Sequence, residues 1–324
     1  MVITNNRISK IAFVGAGGNS GKPIVNALLK TGNFTVTALT RAGSKSTLPA
    51  ASNKDALTAA LRDQDVLVVT LSVEADKGTH ARLNEAAAAA GVPWMLPNYW
   101  SPDASGTIDK TLAVDVPVFA AHAVLTEQIK SLGVTSYIGV QTGFWYEWCL
   151  AATPLFGFDF AQRKVTFFDD GATRMSVSTF DQVGRGVAAL LSLPVQSEGS
   201  GASLENYRNT AVNIASFTIS QKDMFESVLR VSGDKREDWK IEYESSAERF
   251  ARGVKMLQGG DRMGFPLMLC SRNFYPVPGA GDREKHHGLI NEAIGIKGDD
   301  LDEATARGIK WADVGGPLGG KKLE

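Results

Sequence analysis

KIAFVGAGGNSGKPIVNALLKTG, residues 10–32, runs from a short apolar stretch through a glycine-rich turn into an amphipathic helix. The apolar stretch, residues 10–14, reads as a buried strand. The helix after it turns Ile24, Ala27 and Leu28 toward that strand, and Gly32 ends it. A second strand follows over residues 34–39. Strand, turn, helix and strand within about thirty residues is the opening unit of an α/β dinucleotide-binding fold. Each glycine has its own task. Gly15 lets the chain turn sharply off the strand, Gly18 leaves room for the backbone to approach a pyrophosphate, and Gly21 lets the helix pack close to the strand. Asn19 and Ser20 stand where amides or side chains can close over the phosphates. The positive end of the helix favours negative charge there.

The second strand ends in TALTR, residues 37–41. An acidic side chain here would hold the adenine ribose and repel a 2′-phosphate. Arg41 stands in its place, with Ser44 and Lys45 close behind. A guanidinium bonds phosphate and stacks on adenine, so the expected cofactor is NADP(H) rather than NAD. Only a short segment separates Arg41 from the strand at residues 65–72, so the usual third strand of the sheet is expected to be replaced or absent.

Farther along, a helix over residues 54–62 precedes the strand DVLVVTLS at 65–72. Leu71 and Ser72 therefore end beside the cofactor crevice, because ligands bind beyond the carboxyl ends of parallel strands. A helix over residues 77–90 leads to VPWML and then PNYWSPD, residues 97–103. Pro97 and Asn98 are cofactor candidates, while Tyr99 and Trp100 are either substrate contacts or packing residues. The helix predicted over 116–132 places His122, Thr126 and Lys130 at helical spacing. After the strand TSYIGV comes QTGFWYEW, in which Phe144, Trp145, Tyr146 and Trp148 form either a substrate wall or a hydrophobic seam.

The later chain alternates strands near 164–168, 177–180 and 207–214 with helices capped by Thr179 or Asp181 and by Ser220. Residues 239–258 read as a strand followed by a helix. Met263, Phe265, Leu267 and Leu269 can cover an apolar pocket as a lid or capping subdomain, and Pro266, Pro276 and Pro278 interrupt helix there. His286 and His287 read as surface side chains. Composition excludes several classes of function. Nearly balanced charges, 34 basic and 35 acidic, give no general pull toward nucleic acid or anionic membrane. The two cysteines, Cys149 and Cys270, sit among apolar neighbours and read as buried thiols. No metal-ligating motif is present, and no apolar run reaches membrane-spanning length. A cytoplasmic protein, monomer or homodimer, is expected, without direct nucleic-acid or membrane binding.

VGAGGNSG at 14–21, TALTR, LPNYWSPD at 96–103, FDQVGRGVAALLSLP at 180–194 and NTAVNIASFTISQKDMFESVLRVSG at 209–233 together resemble the NmrA-like and isoflavone-reductase-like branch of the atypical short-chain dehydrogenases. The resemblance implies a Rossmann-like parallel sheet flanked by helices, with a smaller interwoven C-terminal substrate domain. It sets the nucleotide domain at 1–150 and the substrate domain at 151–324, with segments around 177–193 and 209–219 returning to the first. Its reducing members use NADPH on ketones, activated double bonds or benzylic ethers of aromatic natural products. Others bind NADP as redox sensors or regulators without turnover, and isomerisation or cyclisation without net redox is a further alternative. Where the reducing members carry a lysine, this chain carries His122. That histidine is a candidate for catalysis, for ligand contact or for packing, with Tyr99 and Tyr146 as secondary proton donors.

Overall fold

The computed structural model describes residues 6–40, 54–72, 75–100, 111–197 and 199–320. Arg41, Ser44 and Lys45, on which the nucleotide preference was read, lie outside these residues, as do residues 101–103. The opening unit is β1 (Lys10–Val14), α1 (Gly21–Lys30) and β2 (Thr35–Leu39). Next come α2 (Lys54–Leu61), β3 (Val66–Val69), α3 (Lys77–Ala90), β4 (Trp94–Leu96), the short α4 (Leu112–Asp115), α5 (Pro117–Leu132) and β5 (Ser136–Gln141). Short elements follow: β6 (Phe144–Trp145), α6 (Tyr146–Ala151), α7 (Thr153–Phe156), β7 (Phe158–Asp159), β8 (Lys164–Phe168) and β9 (Met175–Ser178). The chain then forms α8 (Phe180–Leu191), β10 (Thr210–Asn213), β11 (Phe217–Ile219), α9 (Gln221–Ser232) and β12 (Lys240–Glu244). It closes with α10 (Ser246–Gln258), α11 (Gly264–Asn273), α12 (Arg283–His287) and α13 (Leu301–Asp313).

Six strands make one parallel sheet in the order β10-β5-β4-β3-β1-β2. Helices cover both faces, so β3 and β5 are buried along their whole length, and β3 reads as an unbroken apolar run. On one face α1 lays Ile24 and Leu28 on the sheet beside α8. The two helices touch closely because Gly184 has no side chain; a Cβ there would stand 2.6 Å from the Pro23 carbonyl oxygen. On the other face lie α2, α3 and α5. The start and stop of α5 follow from its ends: Pro117 needs no partner for its missing amide hydrogen, and Gly133 takes the left-handed conformation, φ 70°.

Two three-stranded sheets, β11-β9-β6 and β12-β8-β7, build the smaller C-terminal part around an aromatic core. Among the described residues β2 is the edge of the large sheet; residues 41–53, on which the reading of a replaced or absent third strand falls, lie outside them. Three predicted boundaries move for local reasons. The strand expected over 177–180 lies at Met175–Ser178, because Thr179 caps α8 by accepting the Gln182 amide at 3.0 Å. The strand expected to 72 ends at Val69, and Leu71 leaves it to meet Asn98. The proline-rich segment holds one helix, α11, with Pro266 in its first turn, where a missing amide hydrogen costs nothing, and Pro276 and Pro278 beyond its end. Glycine makes room for α11 against α10, since a Cβ on Gly253 would stand 2.6 Å from the Met268 nitrogen. Cys149 and Cys270 are buried free thiols, and His286 and His287 are exposed. No helix among the described residues is long and apolar enough to cross a membrane.

Candidate active site

The glycine turn sits at the carboxyl end of β1, between β3 and β2 in the large sheet. Gly15 has φ +88°, and a Cβ there would fall on the Thr70 carbonyl oxygen. A Cβ on Gly21 would fall on the Gly15 carbonyl oxygen. Both positions therefore demand glycine for backbone packing alone. Thr70, just past β3, locks the turn by donating its hydroxyl toward the carbonyls of Val14 and Gly15, at 3.1 and 3.2 Å. Gly18 donates its own amide to the Gly15 carbonyl at 3.0 Å, and a Cβ on it would meet only that oxygen, at 3.2 Å. Its open side is the approach left to a ligand. Ser20 makes no side-chain cap on α1, and among the described residues the amides of Asn19, Ser20 and Gly21 have no acceptor. A row of unspent donors at the positive end of a ten-residue helix fits a pyrophosphate.

The neighbouring strand ends are tied together. The Leu71 amide donates to Asn98 Oδ1 and Asn98 Nδ2 donates to the Leu71 carbonyl, each at 3.0 Å. Asn98 thus spends its amide group on shaping the crevice floor. Pro97 accepts the Tyr99 amide at 2.7 Å, and Ser72 is exposed at the rim. Tyr99 lies across Gly139 of β5, where a Cβ would come within 3.1 Å of its ring. Against Tyr99 stands His122, with ring centroids 4.6 Å apart and planes at 33°. His122 is only 9% exposed. Burial, and then the charge of His80, push its pKa down to about 4, so its imidazole is neutral at physiological pH. Phe265 and Met268 of α11 belong to the same apolar cluster as Tyr99 and close it from above.

The sequence matches the NmrA-like family over residues 7–216. The chain belongs to that family. It is 27% identical to "Oxidoreductase aprR" of Aspergillus flavus over 320 residues, covering 93% of this chain and 99% of that one. Its fold is similar to a structure from the pinoresinol-lariciresinol and phenylcoumaran benzylic ether reductases, with TM-score 0.72 and 17% identity over 92% of this chain and 98% of that one. It is also similar to "AtPrR2 with NADP+ and (+)pinoresinol", with TM-score 0.70 and 15% identity over 93% and 98%.

In this NmrA-like chain the glycine turn, Leu71, Asn98, Tyr99 and His122 all lie on the carboxyl side of the large sheet. The other aromatic candidates part company with them. Trp100 donates its indole N–H to the Val69 carbonyl at 2.7 Å and packs into the core beneath the sheet. Phe144 is 8% exposed and meets Phe156 edge-on in the C-terminal core. Trp145 stacks on Phe180 at 4.6 Å, which makes it a seam between the two parts of the chain. Tyr146 has no exposed surface and shares a 2.7 Å hydrogen bond with Thr305, and burial raises its pKa. That placement removes Tyr146 from the substrate wall and from the proton donors. The segment QTGFWYEW after the strand suggested a substrate wall or a hydrophobic seam, but α6 begins at Tyr146 and turns it inward.

Sequence reading overlooked three residues. Thr70 lies inside a run read as strand. Arg283 follows GAGD in a charged run that looks like surface, yet it is 1% exposed and donates to Gln141 Oε1 at 2.8 Å and Asn213 Oδ1 at 3.0 Å, at the ends of β5 and β10. Glu147 is also 1% exposed; burial raises its pKa even though Arg307 lies 3.2 Å away. A cleft of about 840 Å³ runs from the glycine turn between α1, α8 and α13, bordered by Gly17, Gly18, Asn19, Lys22, Arg185 and Arg307. It contains neither Asn98 nor His122, and it lies along the flank of the helices instead of at the strand ends where such sheets bind ligands.

Proposed function

We propose that this chain is an NADP(H)-dependent reductase of a hydrophobic, aromatic ketone, enone or related electrophile, working by direct hydride transfer. The observation that carries the reading is a neutral, buried His122 against Tyr99 on the same side of the sheet as a glycine turn with unspent amides. The names of the relatives, an oxidoreductase and benzylic ether reductases, support it.

In this reading Asn19, Ser20 and Gly21 hold the pyrophosphate, while Arg41 and Lys45 select the 2′-phosphate. Leu71, Ser72, Pro97 and Asn98 shape the floor under the nicotinamide half. When bound, the cofactor supplies the hydride. Tyr99 and Phe265 orient the substrate and keep water from the reacting carbon. His122, being neutral, acts through its N–H: it donates a hydrogen bond to the substrate oxygen and yields that proton as charge builds there. A neutral imidazole held neutral by its surroundings is a known way to polarise a carbonyl.

Purified protein incubated with NADPH and a panel of aromatic ketones, enones and quinones is expected to consume NADPH steadily and to give reduced product. Product without cofactor oxidation would instead make it an isomerase or cyclase. Nucleotide binding without consumption across the whole panel would make it a sensor.

A further inference from the structure

We infer that the cleft between α1, α8 and α13 is a second binding site, for an aromatic carboxylate, set beside the cofactor and coupled to it through α1. The site itself stands apart from the reductase reading; only the coupling rests on a dinucleotide held by the glycine turn.

Small-molecule sites are concave, mainly apolar spaces of roughly 300–1,000 Å³ with a few converging polar groups. This cleft holds about 840 Å³. The space exists because its long walls carry small side chains, Pro23 and Ala27 along α1 and Ala188 and Ala189 along α8. Larger residues there would fill the groove beside the contact of the two helices. Phe180 and Trp311 also border it, with ring centroids 6.1 Å apart and planes at 61°. Such walls accept a flat apolar body.

The polar groups select its charge. Four cations border the cleft, Lys22, Lys30, Arg185 and Arg307, against two carboxylates, Asp181 and Glu147. Arg185 is spent on Asp181 at 3.0 Å and on Asp299. Lys30 lies in the last turn of α1, where it offsets the negative end of the helix. The other two are poised differently. Glu147, only 1% exposed, accepts the Phe180 amide at 3.3 Å through one oxygen. Through the other it accepts Arg307 Nε at 3.3 Å and Nη2 at 3.2 Å. A buried carboxylate thus fixes the guanidinium from behind, and among the described residues Nη1 of Arg307 has no acceptor. Lys22, exposed on the first turn of α1, pairs with no carboxylate among the described residues. A first contact held in place by a buried second one is how binding groups are preorganised. Two unspent cationic donors suit the two oxygens of one carboxylate.

Gly17, Gly18 and Asn19 border the same cleft. A carboxylate drawn to Lys22 therefore lies next to the turn on which the reductase reading places the pyrophosphate. Two anions at one helix end repel each other, so each ligand is expected to weaken the other by the same factor.

Calorimetric titration of the nucleotide-free protein with 2-naphthoate tests the site without any need for turnover, with 2-naphthamide as the neutral counterpart. Saturable binding of one naphthoate per chain is expected, about tenfold tighter than the amide. Ala189→Leu, which fills the cleft with a good helix former, should abolish it. Lys22→Gln should weaken it about tenfold, and serves if the first variant folds poorly. Tyr99→Ala should leave it unchanged. With NADPH saturating, naphthoate should still bind, about fivefold more weakly. No saturable uptake by the wild type, equal affinity for the amide, or affinity indifferent to both Ala189→Leu and Lys22→Gln overturns the inference. So does complete exclusion by NADPH or loss of binding in Tyr99→Ala, since either would put the ligand at the strand ends. A protein that takes up naphthoate in the cleft but no nucleotide defeats the cofactor reading alone and leaves the site standing.

Discussion

Gly18→Val is expected to weaken NADPH binding about 100-fold, near 2.8 kcal/mol, while the protein stays folded. The reason lies in where the new side chain goes. Gly18 is not in the left-handed region, and its Cβ would meet only the Gly15 carbonyl oxygen, at 3.2 Å. The branched side chain therefore points into the space left for a pyrophosphate and holds it off the amides of Asn19, Ser20 and Gly21. Gly15→Val is the contrasting control. There φ is +88° and the side chain would collide with the Thr70 carbonyl, so folding itself fails. Calorimetric titration of the folded Gly18→Val protein, with circular dichroism to confirm the fold, checks the distinction. Wild-type affinity in this variant would mean that the turn holds no phosphate.

His122→Ala is expected to lower kcat about 100-fold on an accepted substrate, at the lower end for a lost proton donor, with NADPH affinity within about twofold of wild type. The pH profile separates this role from that of an imidazolium. Burial disfavours the charged ring, so the folded protein protonates His122 only near pH 4, against an ordinary value of 6.5. Wild-type kcat should therefore stay level from about pH 8 down to about pH 5, whereas an imidazolium donor would speed up as pH falls through 6.5. The same shift has a consequence for stability. Between pH 6.5 and 4 the unfolded chain takes up a proton at His122 that the folded chain refuses. Acidification through that window therefore favours unfolding, and His122→Ala should lose that part of the acid sensitivity. Undiminished turnover in His122→Ala would remove the residue from the chemistry.

The parts of the site made by the backbone were legible in the sequence, because a turn states its needs locally. Gly15 and Gly21 mean the same thing in sequence as in the fold, a sharp turn and a close helix packing, and the caps at Thr179 and Ser220 follow the same logic. Helix periodicity grouped His122 with Thr126 and Lys130, apart from the apolar side of α5, whereas the fold buries it against Tyr99. The aromatic wall was not legible in this way. Phe144, Trp145 and Tyr146 are adjacent in sequence, and a two-residue strand running straight into a helix sends them to three different environments. No periodicity can be read over so short a stretch. Arg283 was hidden because a charged run usually marks surface, and only the folded chain shows amide oxygens from two strand ends converging on its guanidinium.

Calorimetric titration of the wild-type protein with NADPH, run beside NADH, tests the central claim most directly. Saturable binding at a single site per chain is predicted, with NADPH at least about tenfold tighter, about 1.4 kcal/mol, through the guanidinium beyond β2. Correctly folded protein that takes up neither nucleotide at saturating concentration would contradict the account at its base.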